Sequence, residues 1–179
     1  MALMNGIPIS SLSNDGYNAK ILRKDAEARQ ALKIQLNISS YLAQGKSMKE
    51  MPKEWFSWEE KIPKNNLTAS AGYMRFEYLI EYRRFEEAEQ LGTFLLEHAS
   101  SLANIHELMI RAELLFCHIM LDHEKEKIKE MYQKEQKKIA VLKSIPSAQR
   151  IFYPYPSEIR AERELIAFVG EKSLHNRIM

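Results

Sequence analysis

Only a few sets of chemically competent residues sit close together in this 179-residue chain, and each has a plain structural alternative. Asn14-Asp15-Gly16 offers a carboxylate that could ligate a metal, yet the same residue types favour a tight turn. Cys117 and His118 are adjacent, and His123 follows across Asp122, a grouping that could supply a thiol nucleophile with its base or a set of metal ligands. Helical geometry opposes both readings. Residues 117 and 118 point apart on a helix, and positions i and i+5 fall on different sides, so His118 and His123 converge only if the helix breaks near Leu121. Leu114, Leu115 and Ile119 surround Cys117 with apolar neighbours, and burial raises a thiol pKa and suppresses its reactivity. Cys117 as a buried thiol and His123 as a surface residue at a helix start are the expected states. His98, His106 and His175 have no patterned partners. The pairs Glu59-Glu60 and Glu86-Glu87 diverge on a helix and define no acid and base, while Glu77, Glu81 and Arg84 suit exposed ion pairs. No catalytic residue and no cofactor is expected.

The bulk composition narrows the classes further. With 45% hydrophobic and 28% charged residues the chain has the make-up of a globular domain and not of a disordered one. Its 26 basic residues are interleaved with 24 acidic ones, for a net charge of +2, so no nucleic-acid surface is expected. Cys117 is the single cysteine, which rules out an internal disulfide and a Cys-rich zinc module and suits a cytoplasmic address. MALMNGIPISS has neither a basic leader nor a long apolar core, and no run reaches the ~18 to 20 apolar residues of a membrane span.

Helices must do the positioning. Residues 1–18 mix Gly, Pro, Ser and Asn without a period and read as an irregular arm. From Lys20 to Gln44, Ile21, Leu22, Ala28, Leu32, Leu36, Ser39 and Ala43 follow a helical period, and Gly45 stands where a helix end wants glycine. Trp55, Phe56, Trp58 and Ile62 make the following linker a packed one, with a short helix between Ser47 or Pro52 and Lys61. Asn66 or Thr68 can cap a helix to Tyr82 that turns Tyr73, Phe76, Leu79 and Ile80 inward. Phe85, Ala88, Leu91, Leu95 and Ala99 mark one face of the next helix, and Ile105, Leu108, Ala112, Leu115 and Ile119 one face of a third. The period restarts with Ile128, Met131, Tyr132, Ile139 and Leu142, in a run from Asp122 to Lys138 whose alternating charges read as a solvated face. Pro146, Pro154 and Pro156 mark a loop, SEIRAERELIAFVG a last helix ending at Gly170, and residues 171–179 a tail. No stretch alternates as a strand does. The expectation is an all-α array of antiparallel helical hairpins with about five to seven helices, covering 19–170 as one domain, with helix pairs recurring at roughly 40 residues.

Two stretches resemble known families. RFEEAE, Arg84 to Glu89, resembles the turn and second-helix start of a tetratricopeptide unit, with Phe85 as its aromatic and Ala88 as the small residue where two helices cross. Gly92 and Leu95 depart from the large and small residues which that pattern places there. Asn5, Pro8 and Asp15-Gly16 resemble the Asn-x-x-Pro and Asp-Gly motif of site-2-type intramembrane zinc metallopeptidases. In that family the Asp completes zinc coordination by two His of an H-E-x-x-H motif, leaving one position for an activated water. The chain contains no H-E-x-x-H: HELMI from His106 and HEKEK from His123 lack the second His, so Asp15 is a metal ligand only alongside ligands from outside it.

The resemblances imply a non-catalytic, tetratricopeptide-like peptide- or protein-binding domain, a regulatory or interaction tail of a site-2-type metallopeptidase-like protein. It would be cytoplasmic, or membrane-associated through a segment or partner outside this chain. Tyr73, Arg75, Phe76 and Tyr78 on the first helix of the hairpin are the candidate contacts, since first helices line the concave side of such stacks. Trp55, Trp58, Tyr153 and Tyr155 form a second candidate surface, because aromatic residues are enriched at interfaces; covering the ends of the stack is their alternative role. A protein or peptide is the expected partner, with a membrane protein in cis and a second copy of the chain as the further partners this reading admits. A zinc metallopeptidase fragment using Asp15 and a self-associating structural module are the competing functions.

Overall fold

A computed structural model of the chain describes residues 15–57 and 62–144. Among these residues six α-helices run in the order α1 (Asp15–Lys24), α2 (Ala26–Ala43), α3 (Asn66–Glu81), α4 (Phe85–His98), α5 (Asn104–Met120) and α6 (Lys125–Ile139). Short 3-10 turns at Met48–Glu50 and Lys53–Phe56 occupy the linker, and a third, Ala140–Ser144, follows α6. The described residues are all-α, with no strand among them. None of their helices is long and apolar enough to cross a membrane. The chain divides into two compact units at His106 and Glu107, within the first turn of α5. Asn5, Pro8, Trp58, Tyr153, Tyr155, the expected helix over 157–170 and the tail lie outside the described residues.

In the first unit, helix formation starts earlier than composition suggests. Asp15 and Gly16 open α1, so the expected irregular arm gives way to helix at Asp15. The single helix expected from Lys20 to Gln44 is in fact two. Asp25 has extended backbone angles (φ −117°, ψ 109°), and its carboxylate accepts the amides of Glu27 and Ala28 at 2.9 and 3.1 Å, capping α2. A cap of this kind contributes about 1 kcal/mol. The break resets the helical phase. Ala28, Ala31 and Ile38 are the buried residues of α2, whereas Leu36, assigned to the inner stripe by periodicity, is 62% exposed.

Asn65, one residue before Asn66 and three before Thr68, the two capping positions expected from sequence, caps α3. Its side chain accepts the amides of Leu67 and Thr68, and Thr68 Oγ1 accepts the amide of Asn65 in return, a capping box. Asn65 Nδ2 also donates to Asp25 Oδ2 at 3.1 Å, and Gln35 Nε2 donates to the Leu67 carbonyl at 2.8 Å. The first bond holds the starts of α2 and α3 together, and the second ties the middle of α2 to the first turn of α3. Ala28 and Ala31 cluster with Leu67 near those starts, and Ile38 clusters with Tyr78, Met51 and Phe56 near the far ends. Contacts of start with start and end with end mean that α2 and α3 run in the same direction, the connection over 44–65 returning the chain. Its two 3-10 turns take the place of the short helix expected there, and they deliver Met51 and Phe56 to the core.

Helices α3 and α4 form an antiparallel hairpin across a tight turn. Phe85, Ala88, Leu91, Leu95 and Ala99 are all buried, as their spacing predicts. Gly72 and Ala69 on α3, and Ala88 and Gly92 on α4, are small and buried, which lets helix axes approach closely. Helix α5 buries Ala112, Leu115 and Ile119 as expected but leaves Ile105 43% exposed. The solvated reading of α6 fails at Glu135, which is buried. Arg111 Nη1 reaches it across from α5 at 3.1 Å and binds Glu107 with its other nitrogens at 3.0 and 2.8 Å. Removing Arg111 would leave Glu135 a buried charge with only Lys138, 3.6 Å away, beside it among the described residues, and a poorly compensated carboxylate in such a place is strongly destabilising.

Three helix ends share one closing geometry. After α2, Gly45 (φ 76°) donates to the Leu42 carbonyl and Lys46 to Tyr41. After α3, Arg83 (φ 57°) donates to Ile80 and Arg84 to Leu79. After α5, Asp122 (φ 52°) donates to Ile119 and His123 to His118. Each is a Schellman motif with a left-handed residue just beyond the helix. Arginine pays a steric penalty there that glycine avoids. Arg83→Gly should therefore raise the stability of the chain by about 1 kcal/mol, read as a higher urea midpoint, and Asp122→Gly by less because Asp tolerates this region. A lowered midpoint for Arg83→Gly would contradict the assigned turn.

Candidate binding groove

The parallel pairing of α2 and α3 leaves a groove between them, with a volume near 720 Å³. From α2 it takes Glu27, Gln30, Ala31 and Ile34, which stand at helical spacing on one face. From α3 come Thr68, Ala71, Arg75 and Tyr78, again one face. Lys53 and Ser57 close it from the linker, and Arg84 from the turn after α3. All of these residues belong to the first unit.

The groove has an apolar floor and a cationic rim. Ala31, Ile34, Ala71 and the ring of Tyr78 supply the floor. Tyr78 is itself nearly buried, stacked on Phe56 with ring centroids 4.3 Å apart, and burial followed by its hydrogen bond with Tyr82 holds its hydroxyl above the ordinary tyrosine pKa. It stays a neutral wall at physiological pH. Four charged side chains line the groove, and they are not equivalent. Glu27 lies 3.7 Å from Lys64, an exposed pair of small energetic consequence. Arg84 is held by Glu87, its Nε and Nη2 donating to one carboxylate oxygen each, and the hydrogen bond to Glu87 raises its pKa further. This replaces the pairing with Glu77 or Glu81 expected from helical spacing. Arg75 lies with its guanidinium 5.4 Å from the Tyr78 ring centroid, a cation–π distance. Neither Arg75 nor Lys53 makes an ion pair among the described residues.

The structure sorts the residues singled out by sequence. Arg75 and Tyr78 line the groove. Phe76, on the same helix, is fully buried and offers no surface to a ligand, so it supports α3 from inside instead of contacting a partner. Tyr73 stands apart from the groove lining and stacks on His106 with centroids 4.2 Å apart and planes 12° from parallel. Trp55 packs edge-on against Tyr41 at 5.2 Å and covers the Ile38 cluster. Asp15 begins α1, and the zinc role implied by its family resemblance still requires His ligands from another segment. Glu27, Gln30 and Lys53 were not singled out, because only the parallel pairing brings α2 and the linker to Arg75. Ser57 and Thr68 hydroxyls are spent on the Glu54 and Asn65 carbonyls, and neither His nor Cys is among the lining residues.

His106 gives the first unit a measurable pH dependence. Burial holds its pKa below the ordinary histidine value, and its Nδ1 has no hydrogen-bond partner among the described residues. The folded chain thus keeps His106 neutral where the unfolded chain takes up a proton. Its contribution to stability is complete above the unfolded pKa, near 6.5, and is lost progressively as pH falls below that value toward the folded pKa. His106→Phe, which retains a ring beside Tyr73, should flatten the decline in thermal midpoint between about pH 7 and pH 5 relative to the parent chain; an unchanged slope would contradict a neutral, buried His106.

No family model, curated protein or solved structure matches this chain.

Proposed function

We propose that the chain is a non-catalytic, peptide- or protein-binding helical domain whose α2–α3 groove takes an extended acidic segment. The observation that carries this reading is the pair Arg75 and Lys53, cations on the rim of an apolar-floored groove that make no ion pair among the described residues. A carboxylate entering the groove gains charge-assisted hydrogen bonds without first breaking an internal ion pair. The floor of Ala31, Ile34, Ala71 and Tyr78 suits the apolar stems of the same segment. Spent hydroxyls and the absence of His and Cys from the lining support binding over catalysis.

The tetratricopeptide-like hairpin and the arm motif extend the same proposal. Asn5, Pro8 and Asp15-Gly16 suit an interaction domain joined to, or working with, a site-2-type metallopeptidase-like membrane protein. A cytoplasmic address, with membrane association through that partner, belongs to this reading. Asp15 would then serve zinc only together with the partner's ligands.

Charge reversal on the rim tests the binding function. A fluorescein-labelled peptide alternating Glu with Leu should bind the full chain in a salt-sensitive way by fluorescence anisotropy. Arg75→Ala should weaken it about tenfold, the loss of one charge-assisted contact, and Lys53→Glu with Arg75→Glu should abolish binding. A Lys-for-Glu peptide should not bind. Equal affinity of the parent and the double variant for the acidic peptide would remove the groove from the proposal.

A further inference from the structure

The second unit carries a pair of histidines that the groove does not use. His118 lies in the last turn of α5 and is buried, and His123 is half-buried three residues beyond the helix end. Their i,i+5 spacing would separate them on a continuous helix, but α5 stops at Met120 and Asp122 turns left-handed. In the Schellman motif formed there, His118 supplies the carbonyl that accepts the amide of His123 at 3.1 Å. Side chains at these two positions commonly touch, with an apolar contact as the usual filling. The end of α2 shows the same juxtaposition, where the Lys46 ammonium sits 4.4 Å over the Tyr41 ring. In α5 the two positions are both imidazoles, and their Nδ1 atoms face each other 2.7 Å apart with the rings 73° from parallel.

We propose that His118 and His123 chelate a borderline divalent transition-metal ion through their two Nδ1 atoms, Cu(II) in preference to Zn(II). Imidazole nitrogen is a ligand for these ions, and a backbone turn closed by two hydrogen bonds holds both donors on one side before any metal arrives. The separation discriminates between ions. At a metal–nitrogen distance of about 2.0 Å, two nitrogens at a right angle, as in a tetragonal site, lie about 2.8 Å apart, whereas tetrahedral ligands lie about 3.3 Å apart. The observed 2.7 Å fits the tetragonal spacing with little ring movement. Without metal, one Nδ1 carries the hydrogen that the other accepts. On binding, that hydrogen moves to Nε2 of its own ring and both Nδ1 lone pairs turn to the ion, so this step neither adds nor removes a proton. Water or an external carboxylate completes the coordination.

The test is a titration of the full chain with Cu(II), and separately with Zn(II), at pH 7.4 in a glycine-competed buffer. The parent chain should take up one Cu(II), with a two-nitrogen pattern in its electron paramagnetic resonance spectrum, and should bind Zn(II) more weakly. His123→Asn, placed beyond the helix, should lose at least about tenfold in Cu(II) affinity and one nitrogen from the spectrum, while circular dichroism stays unchanged. His98→Asn with His175→Asn should bind as the parent does. Parent-like titration of His123→Asn, loss confined to the His98 and His175 variant, or tighter binding of Zn(II) than Cu(II) would each overturn the proposal.

Discussion

The hydrogen bond from Asn65 to Asp25 is the contact on which the first unit depends. Each of these residues caps a different helix, and each spends its side chain twice: once on the amides of its own helix and once on the other cap. Two helix starts are thereby locked at one point, which fixes direction as well as position. With α2 and α3 running the same way, Ala31 and Leu67 meet at one end while Ile38 and Tyr78 meet at the other. The groove is the space that this pairing leaves along one flank, and its charge comes from what the linker and the following turn carry past it. Lys53 reaches it because the connection over 44–65 must return to the start of α2, and Arg84 because the chain reverses immediately after α3.

Left-handed residues at helix ends do for the exits what the caps do for the entries. Gly45, Arg83 and Asp122 each terminate a helix through the same pair of backbone bonds, and after α2 and α5 the side chains on either side of the turn meet. The chemistry of the result depends only on which residues occupy those positions. A lysine over a tyrosine gives a local cation–π contact after α2. Two histidines give a donor pair after α5. In the turn after α3, Arg84 is swung out to line the groove and to be clasped by Glu87. One backbone device thus accounts for both the closure of the hairpin and the convergence of the two imidazoles.

How much of this is written legibly in the chain differs from element to element. The inner face of α4 is plain from the spacing of Phe85, Ala88, Leu91, Leu95 and Ala99, because a single uninterrupted stripe has one phase. Gly45 announces its turn for the same kind of reason, since glycine is the residue that accepts a positive φ without cost. Arg83 and Asp122 do not, and their turns are imposed by the packing that follows. The phase of α2 is hidden by Asp25, although Asp followed by Ala-Glu-Ala is a capping signal that could have divided the run. Asn65 with Thr68 three positions on is a second such signal, with the cap one residue before Asn66. Glu135 could not have been recognised as buried, since the residue that justifies its burial, Arg111, is on another helix. Arg75 and Tyr78 stand out by type, whereas Glu27 and Lys53 acquire meaning only from the parallel pairing.

That pairing can be observed directly. In a chain with labelled methyl groups and aromatic rings, nuclear Overhauser effects should join the Ile38 methyls to the Tyr78 ring and the Ala31 methyl to Leu67, within one sample and without a ligand. Contacts of Ile38 with Leu67, and of Ala31 with Tyr78, would mean that α2 and α3 run in opposite directions, and the groove lined by Arg75 and Lys53 would not exist.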